Sequence, residues 1–325
     1  METVPDPLTP FLDRQGVMIL DGGLATELEA RGHDLADDLW SARMLMDRPE
    51  VIREVHLDYL RAGADCIVSA SYQATLEGFA GRGLSEKEGV ELLERSVNLA
   101  RESRDSFWDD PANHQGRLRP LVAASVGPYG AFLADGSEFR GDYGLSEEEL
   151  LEFHQQRWQI LTSCDADLVA CETLPSWPES RALRRLLEAT PEIRAWFSFS
   201  CGSGEHLNDG SLLAEVVGDL QECPQIVALG VNCTSPTHIS GLIRSTRSAT
   251  AKPIVIYPNS GECWDAQARA WLPDDTEAPS LESSCTRWAE LGARLMGGCC
   301  RTGPRQIEEL RRILVGGADG SISAS

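Results

Sequence analysis

The sequence is short of positive charge: 29 lysines and arginines stand against 51 aspartates and glutamates, a formal net charge of −22. Nucleic acid and anionic membrane would repel such a surface, so neither is an expected partner. No stretch approaches the roughly 20 apolar residues of a membrane span. The opening segment METVPDPLTPFLDRQG has no basic stretch followed by an apolar one, so it does not read as a secretory signal, and a cytoplasmic protein is expected. Nucleotide fingerprints are also missing. No G-x-G-x-x-G follows the first apolar run, and no G-x-x-x-x-G-K-[ST] occurs.

Cysteine, by contrast, is plentiful, with ten residues. In a long chain without an export signal, reduced thiols are expected rather than a disulfide framework. Cys66, Cys164, Cys223 and Cys285 read as small buried hydrophobes. Cys299 and Cys300 are different: they are adjacent and follow Gly297 and Gly298 at the end of an apolar run. Neighbouring side chains of a regular strand point to opposite faces, so both thiols serve one site only if the backbone turns there. The two glycines are placed to allow that turn.

Eight short apolar runs punctuate the chain, at 17–23, 66–72, 121–128, 168–173, 195–200, 226–233, 253–260 and 293–300. They are bounded by turn residues, as buried parallel strands are. Helical signals lie between them. Pro49 and Gly63 bracket one segment, and Ser85 with Glu88 and Ser146 with Glu149 have capping-box spacing. The segments AGADCIV, CDADLVA and LGARLMG each join a helix end to a strand through small residues, the trace of repeated βα units. Eight strands alternating with helices predict a single-domain (β/α)8 TIM-type barrel over 13–315, with flexible segments at 1–12 and 316–325. Two long connections, 127–144 and 261–280, are candidate lids.

In such a barrel the site lies at the C-terminal ends of the strands. Here those ends carry Asp21, Tyr72, Glu172, Asn232, Cys233, Asn259, Cys299 and Cys300. Three thiols on the sixth and eighth runs suit a zinc site with an open fourth position, although small-residue packing at a turn remains the alternative. No histidine falls at a predicted strand end. Cys263, after the seventh run, is placed to close the fourth position if its loop folds inward.

The segments DGGLATELEARG, LWSARML, SYQAT, SVGPYGAFLADGSEFRGDY, CETLP, GVNC, YPNSGE and GGCCRT run in order from residue 21 to 302. On these, the chain resembles the zinc-dependent homocysteine S-methyltransferases, and among them the branch that uses S-methylmethionine. The resemblance implies zinc (Zn2+) held by Cys233, Cys299 and Cys300. It implies methyl transfer from S-methylmethionine or S-adenosylmethionine to the zinc-bound thiolate of L-homocysteine, forming methionine. It assigns Asp21 and Glu172 to the homocysteine amino group, and the turn at Gly22 and Gly23 to its carboxylate. Trp40 and Tyr72 are candidates for cation–π contact with the sulfonium, and Asn232, Asn259 and Ser260 for orienting donor or ligand. The rival readings are a betaine-type donor with the same metal chemistry, and a non-catalytic zinc-storage or thiol redox protein. Nothing in the sequence fixes an oligomeric state.

Overall fold

Residues 4–35, 39–261, 263–265, 270–272 and 278–316 are described by a computed structural model. The apolar runs form β1 (Met18–Ile19), β2 (Cys66–Val68), β3 (Leu121–Val126), β4 (Leu168–Leu174), β5 (Ala195–Phe199), β6 (Ile226–Asn232) and β7 (Ile254–Tyr257). A small antiparallel ribbon of β8 (Cys263–Asp265) and β9 (Ala270–Leu272) follows, and β10 (Ala293–Met296) completes the set. Eight parallel strands pair in the order β1-β10-β7-β6-β5-β4-β3-β2. A parallel bridge between Leu20 and Cys66 joins the two edges and closes the sheet. This is the expected (β/α)8 barrel.

The strands are buried on both faces, which is why they read as unbroken apolar runs. Between them, both predicted capping boxes form, at Ser85 with Glu88 and at Ser146 with Glu149. The helix Pro49–Ala62 ends on Gly63 at φ 109°, a left-handed conformation that glycine takes without steric cost. The repeated βα entry also has a visible job. Asp65, just before β2, accepts a hydrogen bond from the Ile19 amide of β1 (3.0 Å), and Asp167, just before β4, accepts one from the Val122 amide of β3 (2.8 Å). Each aspartate thus ties its own strand to the start of a neighbour.

The expected flexible start differs from the structure. Thr9–Gln15 is a helix, and Leu8 and Phe11 are buried among the inward side chains of β1, β3, β5 and β10. A Pro-rich opening hid two apolar anchors that seal the N-terminal end of the barrel. The expected flexible C-terminus, from residue 317 on, lies outside the described residues. No helix among the described residues is long and apolar enough to cross a membrane.

Candidate metal and substrate site

Strand periodicity builds the floor of the site. Along β3, β4, β5 and β7, Ala123, Ala170, Trp196 and Val255 belong to the apolar interior of the barrel. Two residues further on, the same inward face carries Ser125, Glu172, Ser198 and Tyr257. The apolar fill therefore gives way to a polar layer at the C-terminal end. There the Ser125 hydroxyl and the Tyr257 hydroxyl (3.0 Å) both donate to the Glu172 carboxylate. Tyr257 is in turn held by the Trp196 indole N–H at 3.1 Å and bonded to Ser198.

Above this layer opens a cavity of about 440 Å³. Its lining brings together Asp21, Gly22, Gly23, Tyr72, Glu172, Cys233, Cys299 and Cys300, eight residues singled out in the sequence. Among the described residues no lysine or arginine lines it, while Glu29, Asp34 and Glu138 add to its acidity. Burial pushes the Asp21 carboxyl well above the carboxylate range, against the Val68 amide that donates to it at 2.8 Å, and the neighbouring Glu172 charge pushes the same way. Burial likewise raises Glu172 to about 7, although Ser125 and Tyr257 stabilise its anion.

The three cysteines converge because two chain segments turn at the rim. Cys233 follows β6 with φ at 47°, an uncommon left-handed conformation for a residue with a side chain. After β10 the chain bends so that the Gly298 amide donates to Asp21 O and the Cys299 amide to Pro258 O. The expected role of Gly297 and Gly298 needs correction: neither takes a positive φ, which falls instead on Arg301 at 64°. They are glycines for lack of space. A Cβ on Gly297 would stand 2.6 Å from Asp21 O, and one on Gly298 would stand 2.1 Å from Thr302 Cγ2.

The three Sγ atoms lie within 4.8 Å of one another, with Cys233 and Cys300 at 3.8 Å. Hydrogen bonds from the other two thiols favour ionisation of Cys300, and hydrogen bonding to both neighbours together with burial holds Cys233 up. At Cys299 the hydrogen bond with Cys233 favours the thiolate, but the one with Cys300, burial and the Cys300 charge outweigh it. Three sulfurs so close, that of Cys233 buried and those of Cys299 and Cys300 half-buried, can all ionise only if a cation sits among them, so the cluster could hold a metal ion.

Other predicted residues sit elsewhere. Asn232, Asn259 and Ser260 are not among the lining residues. The buried Asn232 amide is taken up by Thr173: its oxygen accepts from the Thr173 amide (2.8 Å) and its nitrogen donates to the Thr173 hydroxyl (2.7 Å). Asn259 accepts from the Cys300 amide at 3.3 Å, and the Ser260 amide donates to Cys300 O at 3.1 Å. These residues brace the turns that carry Glu172, Cys233 and Cys300. The Gly23 amide is committed to Thr302 O at 2.9 Å, so it is not available to a substrate carboxylate. The side chains of Trp40 and Cys263 lie outside the described residues.

Sequence reasoning missed Tyr257, Ser125, His33 and Glu138. The first two carry a signal in retrospect, being polar residues on the inward face at strand ends. His33 and Glu138 come from connecting segments, where no periodicity points inward.

Residues 18–314 match the family model described as homocysteine S-methyltransferase. The chain belongs to that family. It is 50% identical over 305 residues to the homocysteine S-methyltransferase YbgG of Bacillus subtilis (strain 168), covering 94% of this chain and 96% of the relative. The metallated crystal form of the homocysteine methyltransferase MmuM from Escherichia coli superposes with a TM-score of 0.84 at 48% identity, covering 95% of this chain and all of the other. The oxidised form of the same E. coli protein gives a TM-score of 0.85 over the same shares. Family membership makes the chain an enzyme acting on homocysteine and a methyl donor, both small molecules.

Proposed function

We propose that this enzyme moves a methyl group from a sulfonium donor, S-methylmethionine in the first place and S-adenosylmethionine second, to homocysteine at a zinc centre held by Cys233, Cys299 and Cys300. The observation that carries this reading is the three-sulfur cluster beside a cavity whose described lining holds carboxylates and no lysine or arginine. The donor set fits zinc. A tetrahedral centre with zinc–sulfur bonds of about 2.3 Å has sulfur–sulfur edges of about 3.8 Å, and Cys233 and Cys300 are 3.8 Å apart. Bound there, zinc would supply the positive charge that turns a substrate thiol, ordinarily protonated at neutral pH, into a thiolate.

The protein's own groups handle the rest. Asp21 and Glu172, desolvated and mutually repelling, gain by receiving the ammonium group of homocysteine. Tyr72 offers its ring to the sulfonium. Methyl transfer from a sulfonium to a thiolate cancels one charge of each sign, so a closed cavity that poorly solvates separated ions favours it. S-methylmethionine carries a net positive charge at neutral pH, whereas betaine is neutral overall, and the acidic lining favours the former. We assign the activity to one barrel domain, 13–315, and to the cytoplasm, where three reduced thiols persist.

The test is methionine formation from homocysteine and S-methylmethionine by reduced, zinc-loaded protein, with zinc content measured in parallel. Turnover that disappears with the metal on chelation and returns with zinc is the expected result. Turnover that survives complete removal of metal would overturn the reading.

A further inference from the structure

Glu138 is a cavity carboxylate for which the reaction above has no use. It sits in the 3-10 turn Ser137–Phe139, in the connection after β3, and lines the cavity with Gly136 and Phe139. The turn is fixed from two sides. The Ser200 hydroxyl donates to Glu138 O at 3.1 Å, and Gly130 lets the chain pack so closely that a Cβ there would stand 2.4 Å from the Glu138 amide nitrogen. Its Oε2 is shut off from solvent and takes no hydrogen bond. Arg140, two residues on, is turned to Asp135 (3.4 Å) and to the Ser137 hydroxyl (2.7 Å). The Glu138 charge bears on the Tyr72 phenol and on the Cys300 thiol, which puts it within electrostatic reach of both the proposed sulfonium contact and the sulfur cluster. Burial lifts its own carboxyl to about 7, with the Asp135 charge pushing the same way and its own backbone amide and the Arg140 charge offsetting only part of the rise.

A sulfonium donor of the S-methylmethionine kind has two cationic ends, the sulfonium and the α-ammonium. The homocysteine ammonium already has Asp21 and Glu172. We infer that Glu138 binds the α-ammonium group of the methyl donor and so selects amino-acid sulfoniums over sulfoniums that lack the amine. This rests on the sulfonium-donor reading above. An ammonium at this position would compensate the buried carboxylate, and the fixed turn holds that carboxylate in place without reorganisation on binding.

The experiment compares S-methylmethionine with its des-amino analogue, a dimethylsulfonium bearing the same chain and carboxylate, on the zinc-loaded enzyme and on Glu138→Gln. The expected result is a loss of about 10- to 100-fold in kcat/KM for S-methylmethionine in the variant, carried mainly by KM. The des-amino donor should change less than about threefold, with zinc content, Tm and the KM for homocysteine unchanged. Glu138→Asp, which keeps the charge, should retain a preference for the amino-bearing donor. Equal loss with both donors would overturn the assignment and make Glu138 a residue that shapes the loop or faces the sulfonium. No loss with either would also overturn it. No turnover of any sulfonium by the unaltered enzyme would instead overturn the donor reading on which the assignment rests, and calorimetric titration of S-methylmethionine into both proteins separates that case from a binding defect.

Discussion

At the N-terminal end of the barrel, the buried Asp65 accepts from Arg311 at 2.8 Å, from the Ile19 amide at 3.0 Å and from the Gln15 side chain, with Arg117 at 3.9 Å. Asp167, at the same end, accepts from the nearly buried Arg104 at 2.7 Å. At the C-terminal end, Asp21, Glu172 and Glu138 line a cavity without a lysine or arginine among its described residues. Both ends bury carboxylates, and only the first pairs them directly with arginines; the second meets Asp21 and Glu172 with neutral donors. Charges matched by the fold's own arginines serve the fold. Carboxylates without an arginine partner around a cavity suit cations from outside, which on the function proposed above are a metal ion, an ammonium and a sulfonium.

The largest break in this comparison comes from the sulfurs. Alanine at Cys233, Cys299 or Cys300 is expected to remove the metal and to lower the rate by about 10³-fold or more, roughly 4 kcal/mol of barrier, while Tm stays within a few degrees. Metal analysis and calorimetry check both halves. An alanine variant with full zinc and full rate would remove that residue from the site.

Arg311→Met probes the opposite end. It leaves Asp65, 1% exposed, without its nearest cation, and should cost about 3 kcal/mol of stability with the rate per folded molecule unchanged. A rate loss exceeding the loss of folded protein would mean that the two ends are not separate in function.

Glu172 sharpens the contrast through pH. Burial holds its carboxyl at about 7 against an ordinary 4.5, so the folded protein keeps a proton that the unfolded chain releases. Its contribution to stability is full below pH 4.5 and is lost as pH rises through about 7. In metal-free protein, the parent should therefore lose stability relative to Glu172→Gln across that window, by up to about 3 kcal/mol. The same variant should raise the homocysteine KM about tenfold or more. Parallel stability profiles would show that the carboxylate is not desolvated as described.

The smallest effect is expected at Asn232. Replacing it with alanine removes both hydrogen bonds to Thr173 and should cost about 1–3 kcal/mol. Zinc affinity should fall about tenfold through the loosened Cys233 turn, as read by chelator competition. Unchanged affinity would separate the brace from the metal turn.

Much of this was legible in the sequence. The eight strands appear as apolar runs because both faces of a parallel barrel are covered, and the capping boxes mark helices between them. The convergence of Cys233, Cys299 and Cys300 followed from their placement at strand ends. What stayed hidden depends on contacts between distant segments. Leu8 and Phe11 look like part of a disordered start until the open end of the barrel is there to receive them. Gly297 and Gly298 look like hinges, whereas they make room for Asp21 and Thr302. Asn232 looks placed to orient donor or ligand because it precedes Cys233, and only the folded barrel, with β5 between β4 and β6, shows that Thr173 occupies it. Glu138 lies in a loop without periodicity, so nothing short of the folded cavity marks it.

If the cavity carboxylates favour a cationic donor, the choice of donor shows it most directly. The measurement is the initial rate of methionine formation from homocysteine on reduced, zinc-loaded enzyme, with S-methylmethionine, S-adenosylmethionine and betaine tested side by side. The expected result is a clear preference for the sulfoniums, about tenfold or more over betaine. Equal rates, or a preference for betaine, would contradict the reading of the acidic cavity as a cation site.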